Sequence, residues 1–318
     1  MRAPDFWTSD DWRSRLLAPA GWIYGASVAW NAARAKPIRP PVPVVCVGNL
    51  TAGGTGKTPV AIALAEILIA QGHQPWFLSR GYGGRLRGPV EVTEWSRAAD
   101  VGDEPLLLAR AAPVIVARDR LAGANLAVGK GATVIVMDDG HQNFALAKDL
   151  SLVVVDGDTG FGNGRMIPAG PLREPVARGL ARADAVFATG SGLPPLGACR
   201  IPVLRVALTI EGPDIEGRAM VAFAGIGRPE KFFEALRAQG AILAAVQGFP
   251  DHHVYSAGEI ARLRAKARAH NAELVTTEKD FVRLTASERE GIRAIPLNAA
   301  FEDRSAVERL LDRLPPKG

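Results

Sequence analysis

VVCVGNLTAGGTGKT, residues Val44 to Thr58, joins an apolar, β-branched run to three closely spaced glycines and a Gly-Lys-Thr end. Val44, Val45, Cys46 and Val47 predict a buried strand. Gly53, Gly54 and Gly56 permit a tight turn before a helix that opens at Lys57. Strand, glycine-rich turn and helix N-terminus in that order make a phosphate cradle. Glycines let backbone N–H groups approach phosphate oxygens, the helix end adds positive potential, Lys57 reaches the β- and γ-phosphates, and Thr58 can hold Mg²⁺. Thr51, Ala52, Gly53, Gly54, Thr55, Gly56, Lys57 and Thr58 are therefore the expected nucleotide-binding residues. The spacing departs from G-x-x-x-x-G-K-[ST] at one point: Thr51 stands where the first glycine belongs, and Gly48 lies three residues earlier.

The rest of the chain has the composition such a motif requires. With 318 residues, 47% hydrophobic and 22% charged, it suits a globular α/β protein of about two domains and excludes disorder. Two cysteines, Cys46 and Cys199, provide neither metal spacing nor a disulfide framework, which favours a reducing compartment. The net charge of +5 favours an anionic partner without choosing among membrane, nucleic acid and phosphorylated substrate.

Upstream of the cradle, residues 1–40 form a segment of their own. Trp7, Trp12, Trp22 and Trp30 are four of the six tryptophans, and 18 uncharged residues separate Arg15 from Arg34. Alanine, glycine, Pro19 and Asn31 make that run only weakly hydrophobic, and Arg13, Arg15, Arg34, Lys36 and Arg39 flank it. We expect an aromatic, amphipathic helix lying in a membrane interface, each basic flank worth about 1 kcal/mol near anionic lipid. The competing reading is a helix that packs its tryptophans on the protein's own core.

Downstream, strands and helices alternate. A helix from Thr58 to about Gly72 carries a broad apolar stripe, and Trp76 to Leu78 predicts a second strand leading into SRGYGG, Ser79 to Gly84. That basic loop is either a surface connection or part of the ligand edge of an open sheet. Asp103 and Glu104 precede a helix from Pro105 to Arg110, and by position alone they read as N-caps. Strands at 114–116 and 133–137 follow, the second ending in Asp138 and Asp139. An apolar strand closing in acids is the pattern whose carboxylate serves Mg²⁺. Strands at 152–155 and 185–188 enclose a long basic loop, FGNGRMIPAGPLREP, with Arg173 and Glu174. These pieces give a nucleotide-binding domain over 41–200, a linker over 201–217 that begins with a strand-like return from Ile201 to Ile210, and a smaller α/β domain over 218–318. The smaller domain has no phosphate loop. It offers PDHHVY, Pro250 to Tyr255, which lacks a remote third metal ligand, and TTEKDFVRL, Thr276 to Leu284, readable as an ion-pair cluster.

Taken together, GNLTAGGTGKTP, SRGYGG, VGDEP, the strand ending in DDGHQ, the PAGPLREP loop, PDHH and TEKD, in that order, resemble the tetraacyldisaccharide 4′-kinases, the inner-membrane lipid A kinases. The resemblance implies a P-loop NTPase-type fold and transfer of the ATP γ-phosphate to the 4′-hydroxyl of a tetraacylated glucosamine disaccharide 1-phosphate. It also implies Mg²⁺ and a site on the cytoplasmic face of the bacterial inner membrane. Carried onto this sequence, it makes Asp103 the base on the sugar hydroxyl, paired with His252, with His253 in reserve. Lys57 and Thr58 keep the roles already argued, Asp138 or Asp139 assists Mg²⁺, and Arg80, Arg173 and Glu174 contact substrate. Neither a nucleic-acid nor a protein partner is expected.

Two other classes share the phosphate cradle. A partner-driven ATPase of the deviant Walker A type needs lysine at position 52, where this chain has Ala52, and a GTPase switch needs Asn-Lys-x-Asp, which is missing. A nucleic-acid-dependent ATPase has only the basic charge in its favour.

Overall fold

The computed structural model describes residues 4–197, 199–210 and 215–315. The chain opens with α1 (Trp12–Arg34), whose N-cap Asp11 accepts hydrogen bonds from the Arg13 and Ser14 amides. β1 (Val44–Gly48) and α2 (Lys57–Ala70) follow, then β2 (Pro75–Ser79), β3 (Val90–Glu91), α3 (Ala98–Val101) and α4 (Asp103–Leu108). β4 (Val114–Val116), α5 (Arg120–Gly129), β5 (Val134–Asp138), β6 (Leu150–Asp156), α6 (Val176–Leu180), β7 (Ala185–Thr189) and β8 (Val203–Ile210) complete this run. A second alternation comprises β9 (Ala219–Ala224), α7 (Pro229–Ala238), β10 (Ile242–Gly248), α8 (Ala257–Ala269), β11 (Glu273–Thr277), α9 (Glu278–Phe281), α10 (Ala286–Arg289) and β12 (Ile292–Ile295). β13 (Leu297–Phe301) and α11 (Arg304–Leu311) end the described chain.

The larger sheet runs β13-β8-β7-β6-β1-β5-β2-β4-β3, and the smaller one runs β10-β9-β11-β12. β1 pairs in parallel with β5 on one side and β6 on the other, and all five of its residues are buried. Burial on both faces accounts for an unbroken apolar run instead of an alternating one. On one face, Val45 and Val47 share a core with Val60, Leu64 and Leu68 of α2; on the other, Val44 and Cys46 meet Ala124 and Ala127 of α5. The α/β class, the mainly parallel sheet and the second sheet are as the alternation predicts.

Two segments differ from expectation. The supposed linker 201–217 contains β8, a strand of the larger sheet; residues 211–214 lie outside the described residues. The last stretch of the expected smaller domain returns to the larger sheet. There β13 pairs antiparallel with β8, while Val307 and Leu311 join the α2 core. Without β13, the edge of β8 would carry unpaired backbone groups. α8, which the apolar pattern did not announce, begins with a capping box between Ser256 and Glu259.

α1 presents its small residues inward and its large ones outward. Ser14, Ala18, Gly21 and Gly25 are buried, whereas Trp12, Leu16, Trp22, Ile23 and Trp30 are exposed. A Cβ on Gly21 would stand 2.9 Å from the Met166 carbonyl oxygen, so the helix lies close on the loop before α6. The segment preceding it is tied to the same loop: the Trp7 indole donates to the Pro168 carbonyl (3.0 Å), and Asn163 donates to the Phe6 carbonyl (2.9 Å). The tryptophans of the helix therefore do not pack on the protein's own core. Among the described residues no helix is long and apolar enough to cross a membrane.

Gly48 carries β1 into the phosphate turn beside the fully buried His141. A Cβ at Gly48 would lie 2.5 Å from the His141 Cβ and 2.9 Å from its backbone nitrogen. Gly48→Ala is expected to cost about 1–3 kcal/mol through overpacking, read as a lower urea midpoint; an unchanged midpoint would contradict this close approach.

Candidate active site

The turn after β1 is held from several sides. Asn49 is fully buried and donates to the Thr51 carbonyl (2.6 Å), while its own carbonyl accepts from the Gln142 side chain (2.8 Å). The loop before α6 adds a short antiparallel bridge, Thr51 to Leu172, in which the Ala52 amide donates to the Pro171 carbonyl and the Arg173 amide to the Leu50 carbonyl. Thr51 is therefore extended and paired, which explains why the first glycine of the standard motif is dispensable here. Gly53 and Gly54 face open space, and Gly56 caps α2 at φ +83°, a conformation that favours glycine. Lys57 and Thr58 open the helix, with Lys57 buried and Thr58 partly exposed.

At the carboxyl end of β5 the two acids part company. Asp139 has φ +50° and receives two hydrogen bonds from Arg173 (2.8 and 2.9 Å), with the Lys57 ammonium 3.7 Å away. Burial alone would raise its carboxyl, but the charges of Lys57 and Arg173 outweigh that and hold it at about 2. Asp138 is 1% exposed, and neither carboxyl oxygen has a hydrogen-bond partner. Burial, with Glu104 and Asp139 nearby, raises its carboxyl above the usual range. The buried Arg120 is within electrostatic reach of both acids, and its Nε is likewise unpartnered. Glu174 is buried in a pair with Arg182 (2.8 Å) and a hydrogen bond from Gln142 (3.0 Å), so its carboxylate braces the loop. Arg80 is exposed at the end of β2.

Asp103 is the first residue of α4; Gly102, at φ +91°, occupies the cap position, so Asp103 does not serve as N-cap. Its side chain is 4% exposed, and Oδ1 accepts from the Glu104 amide (3.0 Å). Oδ2 lies 3.1 Å from His252 Nδ1 and 3.0 Å from Arg283 Nε, and it also accepts from Arg283 Nη2. Burial would raise this carboxyl, but the His252 hydrogen bond and the charges of Lys279 and Arg283 hold it well below the usual range. The helix of the TEKD motif faces α4: Lys279 pairs with Glu104 (3.3 Å), and Glu278 pairs with Arg110. His252 has φ +57° and lies near the Tyr82 ring, 5.7 Å between centroids. His253 turns away, stacked on Phe249 and 3.2 Å from Glu259.

The larger sheet thus brings Lys57, Thr58, Asp138, Asp139 and Arg173 together, and Asp138 feels the charges of both Lys57 and Glu104. The second sheet adds His252 to Asp103. Sequence reasoning passed over Arg283, Arg120 and Gln142. Two of these left a trace: Gln142 closes the quoted DDGHQ, and Arg283 follows Asp280 by three residues, one helical turn, in the motif already singled out. The second sheet also reaches the phosphate turn itself, through Arg228 to the Gly54 carbonyl (3.4 Å) and to Asp156 at the end of β6.

Two orphaned carboxyl oxygens beside a Lys-Thr helix start are the donor set that a hard divalent cation completes. Until something fills that place, Asp138 is a stability liability. Between the ordinary value of about 3.9 and its raised folded value, the native state holds a proton that the unfolded chain has lost, so stability falls as pH rises through that window. Asp138→Asn is expected to raise Tm of the nucleotide-free protein at pH 8 and to flatten this pH slope; a lowered Tm would contradict it.

Comparison with known proteins agrees with this geometry. The family model described as tetraacyldisaccharide-1-P 4′-kinase matches residues 13–315. The tetraacyldisaccharide 4′-kinase of Dinoroseobacter shibae is 53% identical, over 99% of this chain and 98% of that one. The enzyme of that name from Paramagnetospirillum magneticum is 54% identical, over 99% of each. A crystal structure of LpxK from Aquifex aeolicus in complex with ATP superposes with a TM-score of 0.76 at 27% identity, covering 94% of this chain and 98% of that one. The chain belongs to the tetraacyldisaccharide-1-P 4′-kinase family.

Proposed function

We propose that this kinase transfers the γ-phosphoryl group of ATP to the 4′-hydroxyl of a tetraacylated glucosamine disaccharide 1-phosphate at the cytoplasmic face of the bacterial inner membrane. The observation that carries the reading is the approach of His252 to Asp103, 3.1 Å, beside a glycine-rich phosphate turn. Phosphoryl transfer asks mainly for alignment and neutralised charge. The backbone amides of Thr51 to Gly56 and the Lys57 ammonium would hold the β- and γ-phosphates. Thr58 and Asp138 would hold Mg²⁺, which supplies charge neutralisation when bound. Asp139 is engaged by Arg173 and Lys57, and its part is to fix those two cations. As the sugar oxygen bonds to the γ-phosphorus, its proton passes to Asp103 and the bond to the β-phosphate oxygen breaks, releasing ADP. His252 keeps Asp103 charged and oriented for that step. With Arg173 and Glu174 committed to bracing the turn, Arg80 is the better candidate for the acceptor's anionic groups.

The acceptor's acyl chains need apolar surroundings. A cavity of about 420 Å³ lies between α1 and the loop before α6, lined by Gly21, Trp22, Met166, Ala169 and Leu172. Leu172 is the residue that bridges to Thr51 of the phosphate turn. On the outer side of α1, Trp22 and Ile23 are 70% and 73% exposed, and Arg34 lies over the Trp30 ring at 3.9 Å. Aromatic rings with basic neighbours suit the headgroup depth of an anionic leaflet.

Two outcomes test this function. Lys57→Ala and Asp103→Ala are each expected to lower acceptor-dependent ADP release by about 10²–10⁴-fold with the fold intact; near-normal turnover in Asp103→Ala would refute its role as base. Deleting α1 would also remove the packing of its small residues, so exchanging Trp12 and Trp30 together for serine is the cleaner probe. With Trp22 left in place because it lines the acyl cavity, the pair Trp12→Ser and Trp30→Ser is expected to lose affinity for vesicles containing anionic lipid while turning over detergent-dispersed acceptor; unchanged vesicle binding would contradict the interfacial role.

A further inference from the structure

We propose that Arg283 is a positioning residue for the transfer: anchored on Asp280, it grips one oxygen of Asp103 and leaves the other as the place where the acceptor hydroxyl docks. The proposal rests on the reading of Asp103 as the proton acceptor.

Asp280 has no solvent exposure. Its carboxylate accepts from the Gly225 amide (2.9 Å), the Tyr255 hydroxyl (2.7 Å) and the Thr277 hydroxyl (2.5 Å). A carboxylate so enclosed is a fixed point in the second sheet. Arg283, one turn later and 7% exposed at its side chain, donates through Nη1 to Asp280 (3.0 Å) and to the Gly225 carbonyl (2.8 Å). Its remaining edge, Nε and Nη2, meets Asp103 Oδ2. The guanidinium is planar and its donors point in set directions, so anchoring one edge on Asp280 and Gly225 orients the other.

The two oxygens of Asp103 are consequently unlike. Oδ2 takes both donors of the Arg283 edge and has His252 Nδ1 at 3.1 Å, which more than fills two lone pairs. Among the described residues, Oδ1 takes only the Glu104 amide at 3.0 Å. Among the described residues, the charged groups facing Asp103 are Arg283, Lys279 and Glu104, beside the titratable His252, and of these only Arg283 is itself held by a second buried carboxylate. Arg283 thereby joins an immovable point in one sheet to the reactive carboxylate at the edge of the other.

A purely structural role would leave Arg283 as the counter-charge of Asp280 and nothing more. The two roles separate in a double variant. In the full-length enzyme, Arg283→Met is expected to lower both Tm and kcat, because it strands the Asp280 charge and frees Asp103. Adding Asp280→Asn removes the stranded charge and is expected to restore Tm, while kcat stays roughly 10²-fold down from the lost alignment. KM for ATP should remain within about twofold, because the phosphate turn is untouched. Arg283→Lys, which keeps the charge without the fork, is expected to give a kcat between those of Arg283→Met and the natural enzyme. Recovery of full kcat together with Tm in D280N/R283M would overturn the proposal, as would full kcat in a folded Arg283→Met. The base reading fails separately: it falls if Asp103→Ala turns over normally. If Asp103→Ala is inactive and D280N/R283M is fully active, only the role of Arg283 is lost.

Discussion

A carboxylate with 4% exposure cannot stay charged on its own, and Asp103 stays charged because cations from another sheet surround it. That requirement ties the two halves of the molecule together. The larger unit contributes Asp103 and Glu104 on α4 and Arg110 in the turn after it; the smaller contributes His252, Arg283, Lys279 and Glu278. On the other flank of the phosphate turn, Arg228 and Lys231 of the second unit pair with Asp156 at the end of β6. Buried ion pairs of this kind contribute little net stability, since desolvation offsets most of the attraction, but removing one partner leaves a costly bare charge. Their effect is to specify one arrangement of the two sheets, the one that sets His252 against Asp103.

At the end of β5, charge is distributed unequally between adjacent residues. Asp139 is neutralised by Lys57 and Arg173, and its neighbour Asp138 is left with two unsatisfied oxygens in the interior. Both Asp139 and His252 sit at positive φ; Asn271 is the other non-glycine residue to do so among the described residues. Strained backbone is tolerated where the surroundings over-determine it, and it recurs at sites where a side chain must be aimed. Here it aims Asp139 back at the lysine and His252 across at Asp103.

Much of the fold was legible because its signals are local. A buried parallel strand must be continuously apolar, a phosphate turn needs glycine, and both are written into Val44 to Thr58. The acids at the end of β5 were readable for the same reason. What escaped depends on partners distant in sequence. β13 returns to the larger sheet because an edge needed pairing, not because of any pattern in Leu297 to Phe301. The burial of small residues in α1 is decided by the loop it lies on, so the tryptophans could be read either way. Asp103 by itself resembled a helix cap, and only the ordered set of motifs suggested otherwise; its actual neighbours, His252 and Arg283, follow it by more than a hundred residues. Arg173 and Glu174 were expected at substrate; the structure shows their pairs with Asp139 and Arg182, which no local pattern announced.

The central claim is that the acceptor alcohol is activated where the two sheets meet, on the free oxygen of Asp103. A crystal structure of the enzyme with a non-hydrolysable ATP analogue and the lipid disaccharide measures this directly. The account predicts the 4′-hydroxyl within hydrogen-bond distance of Asp103 Oδ1 and in line with the γ-phosphorus held at Lys57. A 4′-hydroxyl bound away from Asp103, with another side chain as its sole acceptor, would contradict it.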